Sequence, residues 1–240
     1  MGKIRAAVIL GLMLATGVSS GQGPPAGSTL DAAARIDYGW LTGDTAMIRA
    51  ARESLEGQDA EIWSTYLRAY AAYRTAELLV AHGRSPGPEL ERCDREASRA
   101  ASDEAVEVEA ELVLAACAAL SAREEPLRAV LHTRRFRQAL TRALEIDGDN
   151  PRLALVRLRY TSPVEVSAEA VVAGFRASRG RYAFPDWGEA EALVLLGEQR
   201  LSDGDRRAAR DLVEEALLIA PDYREAQALL RSLEARAAAN

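Results

Sequence analysis

This chain of 240 residues predicts an all-α fold on three observations. Its composition is 48% hydrophobic with only 5% aromatic, which points to a core of Ala and Leu, both strong helix formers. No segment alternates apolar and polar residues with period two over a useful length. Short breaks rich in Gly, Pro, Asp and Asn divide the rest into segments of helical length, about eleven in all.

The first segment lies outside that pattern. Met1 to Gly21 carries Lys3 and Arg5, an apolar run from Ala6 to Ala15 and small residues ending Val18-Ser19-Ser20, the form of a secretory signal peptide. The apolar run is too short for a bilayer core of about 30 Å, which takes roughly 20 apolar residues. The alternative is a retained anchor. No Cys near the cleavage region marks a lipoprotein. Residues 22–28, with Gly23, Pro24, Pro25 and Gly27, read as a flexible leader. The helical domain spans 29–240. Its helices are expected at 29–41, 44–56, 59–82, 88–101, 103–121, 126–146, 151–160, 166–179, 187–202, 205–219 and 222–238.

The stretch 190–223 is the most regular. Leu193, Leu196 and Gly197 open it, Gly204 turns it, and Ala209, Val213, Ala216 and Pro221 close it. Two antiparallel helices approach closely only where facing residues are small, and Gly197, Ala209 and Ala216 are those residues. Gly204 gives the turn its permissive backbone and Asp205 caps the second helix. Pro221 stops that helix, and Asp222 with Glu225 has the spacing of a capping box for a last helix, 222–238, whose charged outer face suits a solvating cap. This pattern resembles one tetratricopeptide repeat, with Arg200 and Val213 where that family usually carries aromatics.

The closing Ala of each second helix falls at Ala100, Ala143, Ala177 and Ala216, at intervals of 43, 34 and 39 residues. One interval is the family period and two are longer, as for related hairpins with insertions. The run Ala139 to Pro151 resembles a repeat junction, with Gly148 where the family favours Pro. A first hairpin around Gly43-Asp44 is less regular, because Ile48, Arg52 and Leu55 stand where small residues would help. The resemblance implies a right-handed α-solenoid of about five hairpins, each burying its apolar face on its neighbours.

Removing Lys3 and Arg5 takes the formal charge from −6 to −8 and leaves no Lys, so every remaining cation is Arg. That acidic balance disfavours nucleic acid, whose phosphates need a clustered cationic excess. His82 and His132 match no zinc spacing and lie in no nucleophile motif, and there is no Gly-rich phosphate loop. Glu104, Glu107 and Glu111 share one helical face, a cation site or more simply a solvated face. Asp147-Gly148-Asp149-Asn150 lacks the glutamate a calcium loop needs twelve positions from its start. No cofactor, metal or catalytic residue is therefore assigned.

Arg128, Arg134, Arg135, Arg137 and Arg142 form the strongest cationic cluster; they make a solvated outer face, partly offset by Glu124, Glu125 and Glu145, or dock an acidic partner. Trp63, Tyr66, Tyr70 and Tyr73 share one helical face, either core or the wall of a partly wet groove. Trp187 with Phe184 and Pro185 reads as a plug over a hairpin joint, and Asp186 with Glu189 as a cap. Cys93 and Cys117 lie equally far from a turn near Ala105, so an antiparallel hairpin sets them level, and an exported protein permits a disulfide; the alternative is two buried thiols.

The family resemblance implies a non-catalytic scaffold, and the signal pattern with the Arg- and Ala-rich composition implies that it is exported, periplasmic or secreted, without stable membrane insertion. Its concave groove would hold a protein or peptide on Arg152, Leu155, Arg159, Glu191, Val194 and Glu198, joined by Tyr66 and Tyr70. The alternatives are a self-associating assembly factor, hence a homo-oligomer, and a small-ligand binder using the aromatic face of helix 59–82.

Overall fold

The computed structural model describes residues 27–58, 61–161, 166–181 and 187–238, with side chains to 235. The signal segment, most of the leader, and the Phe184, Pro185 and Asp186 cluster lie outside the described residues. Regular structure among the described residues is helical throughout. The helices are α1 (Gly27–Thr42), α2 (Thr45–Glu53), α3 (Ile62–Ala81), α4 (Gly87–Ala100), α5 (Glu107–Glu124), α6 (Ala129–Asp147), α7 (Pro151–Tyr160), α8 (Ala168–Ala177), α9 (Glu189–Ser202), α10 (Arg206–Ile219) and α11 (Arg224–Ala238). None is long and apolar enough to cross a membrane.

Local chemistry sets their bounds. Asp44 accepts from the amides of Ala46 and Met47 at 2.9 and 3.0 Å and starts α2. Asn150, Ser167 and Asp205 cap α7, α8 and α10 in the same way. Several starts differ from expectation. Asp103 accepts from the Ala105 amide at 2.9 Å, an Asx turn that delays α5 to Glu107. Pro126 opens a 3-10 turn through Arg128 before α6. Gly27 and Ser28, expected in the leader, open α1. The carboxylate of Asp222 accepts from the Tyr38 hydroxyl at 3.1 Å rather than closing a capping box.

Helices adjacent in sequence pack on one another from α1·α2 through to α10·α11. At α9·α10 the approach is close: a Cβ on Gly197 would stand 3.2 Å from Val213 Cγ2 and 3.4 Å from the Ala209 carbonyl. Ala209 and Ala216 are fully buried there. At α1·α2 the small residue is Gly39 on the first helix, where a Cβ would meet Ile48 Cγ1 at 2.8 Å. Cys93 on α4 and Cys117 on α5 are joined by a disulfide, their Cα atoms 6.4 Å apart.

A second set of contacts runs α1·α3, α3·α5, α5·α7 and α9·α11, and α1 returns to touch α11. Trp40 lies against Tyr223 with ring centroids 5.4 Å apart. Tyr38 reaches Asp222 across the same joint, and Arg224 occupies the space beside Gly43. The odd-numbered helices α3, α5, α7 and α9 are buried on much of their circumference, whereas α2, α4, α6 and α10 bury one narrow stripe each. The row of odd helices thus curls until its ends meet, and their facing side chains occupy the space inside.

Candidate functional site

That inner space is where the expected groove would lie. Tyr66, Tyr70, Arg152, Leu155, Glu191 and Val194 are all buried there, so these six offer no open wall to a partner. Arg159 is partly exposed and Glu198 exposed. The expectation of a concave binding surface on these residues is corrected on this point. With α1 against α11, the chain fills the inner space with its own side chains.

The filling is an ionic and aromatic cluster centred on Arg74 of α3, with no exposed surface. Its guanidinium sits 3.9 Å from the Trp40 ring centroid. It donates to Tyr70 Oη at 3.0 Å, to Glu77 Oε2 at 2.6 Å and to Glu191 Oε2 at 3.1 Å. Arg159 reaches both carboxylates from α7, Glu77 at 2.8 Å. Two arginines thus face two glutamates, and the set is internally neutral. Burial alone would lift the Glu77 carboxyl, but the charges of Arg159 and Arg74, with hydrogen bonds from Arg74 and Tyr73, hold it below the ordinary carboxylate range. Burial pushes the Tyr66, Tyr70 and Tyr73 hydroxyls well above a normal phenol, so each stays protonated.

A second buried group lies beside it. Arg152 pairs with Glu109 at 3.2 Å and donates to the Trp187 carbonyl at 3.0 Å. Trp187 is buried, with its indole N–H 3.3 Å from Tyr66 Oη. The aromatic face of α3 is therefore core. A cleft of about 190 Å³ remains between α1, α9 and the end of α10, lined by Asp37, Trp40, Arg74 and Trp187. Its charged walls are committed, since Asp37 takes the Tyr70 hydroxyl at 2.6 Å and Arg74 is held by Glu77 and Glu191. Among the described residues no group of three or more His, Cys, Asp or Glu is placed to hold a metal ion. Glu111, considered for a cation, is buried and meets Arg142 at 3.1 Å.

The open surface is on α6. This helix buries only Phe136, Ala139 and Ala143, chiefly against α5, and stands as a ridge between two open grooves. One, of about 1090 Å³, runs along α4 and α5 past Asp94, Ser98 and Glu111; the other, of about 700 Å³, runs toward α7 past Phe136, Leu153 and Tyr160. Along the crest Leu127 is fully exposed, Val130 is 84% exposed and Leu131 64%. Of the arginine cluster, Arg135 is paired with Asp94 at 2.9 Å and Arg142 with Glu111. Arg128 lies 3.6 Å from Glu125. Arg134 and Arg137 are exposed and make no ion pair among the described residues. An apolar patch continued by unpaired cations can hold an acidic amphipathic surface, the second of the two readings of this cluster.

Val130, Leu131 and Leu144 could not be told from core on the sequence, because an apolar residue on an amphipathic helix reads the same whether or not a neighbour covers it. The clue in the sequence is the interleaving of Arg134 and Arg137 with them.

Comparison with protein-family models, with curated proteins and with solved structures finds no match.

Proposed function

We propose that this chain is a non-catalytic scaffold of helical hairpins, of tetratricopeptide type, that holds a protein partner on the outer face of α6 rather than in a concave groove. The observation that carries the reading is the contrast between the two faces. Inside, Arg74 and Arg159 satisfy Glu77 and Glu191, while the turn before α6 and α6 itself display Leu127, Val130 and Leu131 to solvent beside the unpaired Arg134 and Arg137. His82 is exposed and His132 faces Glu125 at 3.6 Å; among the described residues neither is hydrogen-bonded to a hydroxyl or thiol that it could activate. Export to the periplasm or beyond is proposed on the leader pattern of residues 1–21 and is consistent with the Cys93–Cys117 bond.

The test is a paired affinity purification from the envelope of the source cell, using the wild-type chain and Arg134→Glu/Arg137→Glu as baits. Both substitutions are at exposed positions, so the melts should coincide. The reading expects a stoichiometric protein, an untagged copy of the chain included, that wild type retains and the variant loses. Identical retention by both baits would remove α6 as the binding face.

A further inference from the structure

We infer that the surface seated on α6 is the outer face of α10 from a second copy of this chain. This rests on α6 being the binding face and names its occupant. The exposed crest of α6 runs Val130, Arg134, Arg137, Thr141, at steps of four, three and four residues. The exposed stripe of α10 runs Arg207, Asp211, Glu214, Leu218, at the same steps. Both follow one face of an α-helix. Laid antiparallel, the stripes bring Val130 level with Leu218, Arg134 with Glu214, Arg137 with Asp211 and Thr141 with Arg207. Glu145, one turn beyond Thr141, is then also within reach of Arg207.

The charges would pair in either direction, since the spacing reads the same both ways. The apolar residues select the antiparallel one. Laid parallel, Val130 would meet Arg207, and Leu218 would meet Thr141. Leu218 and Val130 are each 84% exposed, an unusual cost for two branched aliphatic residues unless something covers them. Among the described residues Arg134, Arg137, Asp211 and Glu214 make no ion pair, although Arg135, Arg142 and Glu215 beside them do. The two unpaired sets are opposite in sign and equal in number. Each chain carries one face of each kind, so copies join reciprocally across a two-fold axis or head to tail in a ring or chain. Two stripes of about three turns each bury an area at the low end for specific association, which implies reversible, salt-sensitive assembly.

Sedimentation and light scattering on the purified chain test this, from low-micromolar to sub-millimolar concentration. Wild type should show masses at twice the 25.9 kDa of one chain or above, falling toward one chain in high salt. Arg134→Glu/Arg137→Glu and Asp211→Arg/Glu214→Arg should each be monomeric, with association about tenfold or more weaker per reversed pair. An equimolar mixture of the two should reassemble, because both α6·α10 combinations are then complementary. Unchanged melts keep misfolding from imitating the result. A wild-type chain that stays monomeric, or assembly indifferent to either variant, overturns the second copy as occupant. If in that case the α6 variant still loses a different protein from the envelope, α6 remains the binding face with another partner.

Discussion

Replacing Arg74 with Ala removes the centre of the buried cluster. The side chain has no exposure, and its hydrogen bonds to Glu77 and Glu191 are 2.6 and 3.1 Å. Without it, two buried carboxylates share Arg159 alone. Breaking a buried pair from one side costs about 3–5 kcal/mol, because the desolvated partner is left uncompensated. The contact with Trp40, worth up to about 2 kcal/mol when desolvated, is lost as well. These contributions overlap, so about 4 kcal/mol is expected, read as a fall in the urea midpoint at constant slope. Arg135→Ala is the control: it deletes an exposed pair with Asp94 and should cost under about 1 kcal/mol. Equal losses for the two variants would refute the claim that Arg74 holds a buried ionic core together.

Acid unfolding should report Glu77. Its folded carboxyl lies below its ordinary range, so its contribution is present above the unfolded value and is lost as pH falls through the folded one. Glu77→Gln should therefore flatten the stability–pH slope on the acid side, which urea melts at stepped pH would show. At the α9·α10 crossing, Ala216→Leu should cost about 1–3 kcal/mol by overpacking, while Leu218→Ala, two residues on and exposed, should leave the melt unchanged. Reducing the Cys93–Cys117 bond, which spans 24 positions, should lower stability by about 3 kcal/mol, measured by urea unfolding with and without reductant. Mass spectrometry of unreduced protein checks the bond itself, which two alkylatable thiols would contradict.

The helices were legible because their ends are set locally. Asp44, Asn150 and Asp205 bind amides within three residues, and such bonds can be read from neighbouring letters. The tight crossing at Gly197, Ala209 and Ala216 was legible for a related reason, since only small residues permit it. At the first hairpin the same rule was applied to the second helix, whereas Gly39 supplies the small residue from the first. The closure of α1 on α11 was not legible, because it is the sum of small rotations over every hairpin and no single segment encodes it. Arg74 and Glu191 are 117 positions apart, and nothing in either neighbourhood pairs them. Arg152 and Glu191 were consequently assigned to a surface, and Tyr66 and Tyr70 left between core and groove wall, although all four are interior. On α6 only the arginines drew a reading, and Val130 and Leu131, exposed beside them, did not.

Hydroxyl-radical footprinting read by mass spectrometry tests the central claim most directly, because it asks which face of the chain meets water. At dilute concentration Tyr38, 46% exposed, and Leu127 should label quickly, whereas Tyr66, Tyr70 and Tyr73 should be protected until the chain unfolds. On raising the concentration, Val130 and Leu218 should become protected together while Tyr38 does not. Labelling of Tyr66 and Tyr70 at the rate of Tyr38 in the folded chain would contradict the account, because the inner face would then be open and the predicted groove available after all.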